Sequence, residues 1–503
     1  MVAKINTITF HGIEVVDVNV QAHFSPGMPA FSLVGLPDKT IAESRERIRA
    51  ALHSIGLMIP SQRIVVNLSP ADLVKEGSHF DLPIAIALLV NMKVLKSEEV
   101  EGYLILGELG LDGSIIGVNG VLPAAIGALE RSYGLICPAI NGEEAAWSGN
   151  KNIIATTNII QLINHLKERQ IIAQPIIHNK IISQNYLPDF KEIKGQETAK
   201  RAIEIAAVGG HNMLMSGPPG AGKSMLASRL PSIMPSMTAN EILECSMIAS
   251  IAGKLSDGTL KSDRPFRSPH HSCSMPAMVG GGANKRVMPG EISLAHNGIL
   301  FLDELPEFPR SVIDSLRQPL EEGNINISRA NYHVNYPANF QLIAAMNPCR
   351  CGFLGEATRE CNKAPRCGAD YQSKISGPFL DRIDMYIEVS SSSIHEIIEA
   401  KEPEDSQSIL KRVQAARDIQ TKRYLKHEIK NNSELHGNLI KEFAEPLPEA
   451  KLFLNNAAER MKFSMRGYNR TLKLARSIAD MCGEEMINKS HIAEALNYRK
   501  YHY

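Results

Sequence analysis

The chain has no net charge. Its 503 residues carry 54 lysines and arginines against 54 aspartates and glutamates. That balance excludes a global basic field, so any affinity for nucleic acid has to come from a local patch. Long hydrophobic runs are also missing. The longest apolar stretch, Leu82–Val90, falls far short of the ~20 residues that span a bilayer. The opening MVAKINTITFHGIEVVDV alternates like a strand and lacks the basic-then-apolar order of a secretion signal. There is no internal repeat and no low-complexity tract. Cysteine does not form a spread framework: Cys137, Cys245, Cys273 and Cys482 are scattered, while Cys349, Cys351, Cys361 and Cys367 crowd into one short segment. Secreted disulfide scaffolds distribute their pairs through smaller chains. These absences predict a cytoplasmic protein without a membrane partner. What is present is ordinary globular composition, 44% hydrophobic and 21% charged. The length suits about three domains.

Residues 1–165 mix strand-like runs such as Arg63–Leu68 and Tyr103–Leu109 with a helical one at Ile41–Gly56, an α+β pattern. Residues 166–188 hold two prolines and no sustained period, which predicts a linker. Strand and helix alternate over 189–390, so this part is expected to be α/β. Residues 391–503 read as helices.

The strongest chemical signal is MLMSGPPGAGKSMLASRL. Gly217, Gly222, Lys223 and Ser224 fit G-x-x-x-x-G-K-[ST] after an apolar strand and before a helix. Glycines let the backbone fold into a nest whose N–H groups face phosphate oxygens, and the following helix adds its positive end. Gly217, Pro218, Pro219, Gly220, Ala221, Gly222, Lys223, Ser224 and Met225 are therefore expected to cradle ATP. Lys223 would neutralise the β/γ charge and Ser224 would offer its hydroxyl to Mg²⁺. In NGILFLDELPEF, Ile299–Leu302 reads as a buried parallel strand ending in Asp303 and Glu304. Open α/β sheets bind ligands at that end. Asp303 is expected to hold Mg²⁺ and Glu304 to polarise the attacking water. A third strand, Phe340–Asn347, brings Asn347 toward the γ-phosphate or that water. Arg382 lies in GPFLDRID, where it could also pair with Asp381 or Asp384.

The segment NPCRCGFLGEATRECNKAPRCG spaces its cysteines as C-x-C and C-x₅-C. Four thiolates in a short loop suit a tetrahedral zinc site, although this is not the familiar C-x-x-C pairing. Free thiols in a reducing compartment are the alternative. If zinc is bound, its place just after Asn347 would brace that strand.

Quoted in order, VGLPDKTIAESRERIRAAL, VNLSPADLVKEGSHFDLPIA, IKGQETAKRAIEIAAVGGHNMLMSGPPGAGKSMLA, RPFRSPHHSCS, PGEISLAHNGILFLDELPEF, AAMNPCRCG, SGPFLDRIDMYIEV and RGYNRTLKLARSIADM resemble the ComM/YifB group of magnesium-chelatase-like AAA+ ATPases. The resemblance implies an α/β AAA+ core with a helical lid, preceded by a Lon-protease-like α+β domain. It implies a hexamer in which Arg382 acts on the neighbouring subunit's ATP. The lid arginine that senses the γ-phosphate corresponds to Arg466, with Arg470 a near rival. It also implies a helicase or branch-migration motor in natural transformation, working on single-stranded or branched DNA. MCM-like relatives place a pore hairpin before the Asn-bearing strand. Here NISRANYH stands in that place, with Arg329 where the family carries its basic residue. A second pore candidate is the Gly280–Gly282 loop with Lys285 and Arg286. His270 and His271 near Cys273 make a weak metal set. The alternative function is an ATPase chaperone that remodels a protein partner, as in magnesium chelatase.

The Lon-like domain is expected to be non-catalytic. Aligning KEGSHFDL puts His79 at the nucleophile's place, with Ser78 one residue off, and aligning GELGLDGSIIGVNGVL puts Leu122 at the lysine's. Without a Ser/Lys dyad there is no nucleophilic machinery. Arg45, Arg47 and Arg49 on one helix could contact phosphate or simply face solvent.

Overall fold

The computed structural model describes residues 2–178, 187–255, 258–281, 287–329, 332–354, 361, 363–390 and 402–499. The first domain is built on a seven-stranded mixed sheet. Strand Val2–His11 alternates polar and apolar residues and pairs antiparallel with Glu14–Ser25 over its full length. Ile5 and Ile8 fall on opposite faces, as the two-residue period of a strand requires, and join different cores. Ile5 packs with helices Lys39–Ser54 and Asp81–Asn91, and Ile8 with helix Val121–Glu130. Asp38 caps the first of these helices, accepting from the Ile41 N–H at 2.8 Å.

Two expectations change here. Tyr103–Leu109 is two short strands, Tyr103–Ile105 and Glu108–Leu109. The Gly107 N–H donates to the His79 carbonyl instead of to a neighbouring strand, which ends the ladder. The part of the expected linker at 167–178 lies against the first domain. The Gln174 side chain accepts from Ile153 N–H and donates to the Asn150 carbonyl, both at 3.0 Å, and His178 N–H donates to Glu143. These are side-chain caps between distant residues, which a local period cannot reveal.

The second domain carries five parallel strands in the spatial order Phe266–Arg267, Ile299–Leu302, Gln341–Met346, Met213–Ser216, Met385–Glu388. The first strand in sequence, Met213–Ser216, thus lies between the fourth and the fifth. The chain leaves it toward one side and returns from Gln341–Met346 to the other, which opens a crevice at its carboxyl end. The strands are continuous apolar runs because helices cover both faces. Helix Glu197–Gly209 shares one core with the C-terminal helices Ser406–Arg423, Pro448–Arg460, Met465–Cys482 and Lys489–Asn497.

The hairpin pairs Asn324–Arg329 with Tyr332–Pro337 in antiparallel register, Arg329 opposite Tyr332. Ile325, Ile327, Val334 and Tyr336 bury one face at its base. The Gly12 turn of the first domain approaches so closely that a Cβ there would lie 2.4 Å from the Asn335 carbonyl oxygen. The domains also meet along helix Ala239–Ile251. Leu122 packs with Met237, Ile242 and Leu260, Gly120 N–H donates to the Ser250 carbonyl, and Trp147 Nε1 donates to Gly258 at 2.9 Å.

Candidate active site

The carboxyl ends of three adjacent strands converge on one cluster. After Met213–Ser216 the chain turns through Gly220 (φ 81°) and Gly222 (φ 90°), left-handed positions that favour glycine, before helix Lys223–Arg229 begins. Gly217 is held closer still: a Cβ would lie 2.1 Å from the Val389 carbonyl oxygen. Lys223 Nζ donates to the carbonyls of Gly217 (2.6 Å) and Pro218 (2.9 Å) and to Asn347 Oδ1 (3.1 Å). Burial lowers its pKa, and the nearby carboxylates of Asp303 and Glu304 oppose that shift. Ser224 Oγ donates to Asp303 Oδ2 at 2.6 Å, so the hydroxyl and the carboxylate expected to share Mg²⁺ already meet. Glu304 takes a left-handed backbone (φ 53°), strained for a non-glycine residue, which turns it off the strand end. Its Oε2 is 3.2 Å from His271 Nδ1. From the sequence, His271 offers only a metal ligand. No local spacing could have paired it with Glu304, because the two sit at the ends of neighbouring strands.

Lys223, Ser224, Asp303, Glu304 and Asn347 thus form one constellation. The glycine-shaped loop and the Ser224–Asp303 pair fit a nucleoside triphosphate with Mg²⁺. Ser224 and Asp303 would hold the ion, which would supply charge neutralisation at the phosphates.

Residues 189–397 match the family described as "Magnesium chelatase, subunit ChlI". Residues 20–141 match "Subunit ChlI of Mg-chelatase", and 403–499 match "Magnesium chelatase, subunit ChlI C-terminal". The chain is 42% identical to "Competence protein ComM" of Haemophilus influenzae over 497 residues, which cover 97% of this chain and 95% of that protein. It is 39% identical to "Uncharacterized protein YifB" of Escherichia coli over 489 residues, 97% and 95% of the two chains. It is 28% identical to the "Magnesium-chelatase 38 kDa subunit" of Rhodobacter capsulatus over 174 residues, 32% of this chain and 50% of that one. The chain belongs to the magnesium-chelatase-like AAA+ family, in its ComM/YifB group.

The arginines of this magnesium-chelatase-like core lie elsewhere. Arg382 precedes strand Met385–Glu388, which runs parallel to Met213–Ser216 in register Met213↔Met385. It therefore sits at the amino edge of the sheet, and the phosphate loop sits at the carboxyl edge. Four residues of strand put roughly 13 Å between those edges. Arg382 is buried. It pairs through Nη2 with Glu321 Oε1 at 2.6 Å, and its Nε donates to the Arg317 carbonyl at 3.2 Å. Neither Asp381 nor Asp384 is its partner in these bonds. Arg466 is exposed and reaches the same Glu321 at 3.9 Å. Arg470 pairs with buried Asp384 and donates to the Arg382 carbonyl at 3.2 Å. Arg470 and the His211 side chain hold the Asp384 carboxyl far below the ordinary range despite its burial.

Arg329 ends the first strand of the hairpin, and Lys285 and Arg286 lie outside the described residues. The sulfur atoms of Cys349, Cys351, Cys361 and Cys367 lie within 4.8 Å of one another. In the first domain, His79 is buried with Nε2 2.9 Å from the Ile8 carbonyl, Ser78 Oγ bonds Glu108, and Leu122 belongs to the domain interface. Arg47 answers to neither expectation: it forms a two-point pair with buried Asp81 (2.6 and 3.0 Å). No helix among the described residues is long and apolar enough to cross a membrane.

Proposed function

We propose that this chain is an ATPase whose sites complete between subunits of a ring, and that the ring is a motor on DNA. One observation carries the first half. Lys223, Ser224, Asp303, Glu304 and Asn347 gather at the carboxyl edge of the sheet, while Arg382 and Arg466 share Glu321 near the opposite edge. A cation that stabilises charge on the transferring phosphoryl group must approach it directly. Arg382, and Arg466 with it, therefore act on the ATP of the adjacent subunit, exchanging Glu321 for phosphate. This supports a closed ring, a homo-hexamer by family resemblance. Within each site, Lys223 neutralises the β/γ phosphates and Asn347 orients the water. Glu304 takes the water's proton as its oxygen bonds to the γ-phosphorus and ADP leaves.

The second half rests on the hairpin and on the relative named "Competence protein". The hairpin leads through 338–340 into strand Gln341–Met346, which Asn347 follows directly, so a change at the γ-phosphate is transmitted along one continuous segment. Its tip, with Arg329, would grip DNA phosphate without reading sequence, which suits branch migration during transformation and recombination. Lys285 and Arg286 are assigned to the same contact. The neutral chain makes a local grip of this kind necessary.

The four cysteines hold a structural Zn²⁺ in this reading. Tetrahedral thiolates at ~2.3 Å from zinc stand ~3.8 Å apart; the sulfur atoms here lie within 4.8 Å of one another, with Cys349 and Cys351 at 3.1 Å.

The test is ATP turnover with and without single-stranded DNA at two salt concentrations, together with branch migration of a three-strand junction. Salt-sensitive stimulation, with migration lost in Glu304→Gln, supports the motor. Turnover indifferent to DNA, with no migration, refutes it and favours protein remodelling of the chelatase type.

A further inference from the structure

We infer that the cysteine cluster is a metal-dependent brace for the ATP loop, so that zinc occupancy sets nucleotide affinity; this rests on the zinc reading above. The cluster does not stand apart from the site. Asn347, which accepts from Lys223, lies two residues before Cys349. Directly after Cys351, the chain turns at Gly352, whose N–H donates to the Cys349 carbonyl at 3.0 Å. That turn presses its backbone onto Pro219 of the phosphate loop. A Cβ on Gly352 would lie 2.5 Å from Pro219 Cδ and 2.7 Å from Cγ, and Gly352 has φ 87°. Two separate geometric demands therefore exclude a side chain there.

The far ligands are fastened as well. Cys367 lies in helix Arg366–Gln372, and Gln372 Nε2 donates to the Pro348 carbonyl at 3.1 Å. Gly368 packs so tightly on Leu354 that a Cβ would lie 2.5 Å from its Cδ2. The result is a closed circuit from Asn347 through two cysteines to Pro219, and back through two more cysteines to Pro348. A divalent soft-ligand cation neutralises and fixes the four sulfurs. Without it, only weak thiol hydrogen bonds such as Cys349 Sγ to Cys351 Sγ at 3.1 Å hold the sulfurs together, and the Cys349–Gly352 turn is freer to withdraw from Pro219. The phosphate loop then loses its backing, and Asn347 loses its position against Lys223. Neither residue ligates the metal, so the effect reaches the nucleotide through packing alone.

The experiment uses the full chain purified without chelator and reads two quantities, zinc content and affinity for a fluorescent non-hydrolysable ATP analogue with Mg²⁺. The expected result is one zinc per chain. Stripping under reducing conditions weakens the analogue by about tenfold or more, the cost of a displacement near 1 Å in a preorganised site. Added Zn²⁺ restores it. Gly352→Ala keeps its zinc yet binds the analogue as weakly as the stripped protein, which separates the brace from global unfolding. Four freely alkylated thiols and no zinc overturn the site. Unchanged affinity after stripping, or parental affinity in zinc-loaded Gly352→Ala, overturns the coupling. If the zinc-loaded parent bound no analogue, the ATP reading would fail instead, and with it this one.

Discussion

Arg466 and Arg470 lie one helical turn apart in different surroundings, and the different roles these support are separated by alanine substitution. Arg470 sits against Asp384, a carboxylate buried to 3% exposure. Removing the guanidinium leaves that carboxylate with the Asn212 N–H at 2.9 Å and the His211 ring at 3.8 Å. Stranding one member of a buried pair costs about 3–5 kcal/mol, and the remaining partners place Arg470→Ala at the lower end, about 3 kcal/mol. For a unit of this size that corresponds to roughly 6 °C in Tm. Arg466 holds Glu321 only at 3.9 Å, with 65% of its side chain exposed. An exposed pair of this kind contributes within about 0.5 kcal/mol, so Arg466→Ala should melt with the parent. Under the proposed role at the neighbouring subunit's phosphate, its defect should be in turnover, reduced about tenfold or more at saturating ATP. Differential scanning calorimetry and steady-state ATPase on both variants decide the matter. Arg470→Ala melting with the parent while losing turnover, or Arg466→Ala unfolding early with normal turnover, would refute the assignment.

Lys223→Ala should lower ATP affinity roughly 10- to 100-fold, the worth of a charge-assisted contact, as measured by equilibrium binding. With Glu304 in its proposed role of proton acceptor, Glu304→Gln should keep ATP affinity and lose about 10²–10⁴-fold in single-turnover hydrolysis. Glu244, hydrogen-bonded by His296 and Asn297, is pulled down to about 2. A carboxylate depressed in the fold stabilises it fully above the unfolded value and loses that contribution as pH falls through the folded one. Thermal stability should therefore decline between about pH 4.5 and 2, and Glu244→Gln should flatten that part of the profile. Arg47→Ala strands buried Asp81 and should lower Tm without changing DNA-stimulated turnover; a specific loss of DNA stimulation would return Arg47 to phosphate contact.

The sequence by itself determined the phosphate-loop and strand-end patterns and their α/β scaffold. Gly217–Ser224 and Asp303–Glu304 are local patterns carried by their spacing, and the apolar strands before them place both at a sheet's carboxyl edge. The hairpin was expected from the family resemblance, and the pairing of Asn324–Arg329 with Tyr332–Pro337 agrees with it. What only the tertiary structure decided depends on which strand lies beside which. Register put Arg382 at the edge away from its own ATP loop and gave it Glu321 as partner in place of neighbouring aspartates. Packing gave Arg466 and Arg470 different surroundings, because one-turn spacing is the same whether a side chain meets solvent or a buried carboxylate. It joined His271 to Glu304, Arg47 to Asp81 and Gly352 to Pro219, contacts between residues far apart in the chain. Local patterns encode what a segment is; long-range contact fixes what it touches, and no spacing along the chain carries that information.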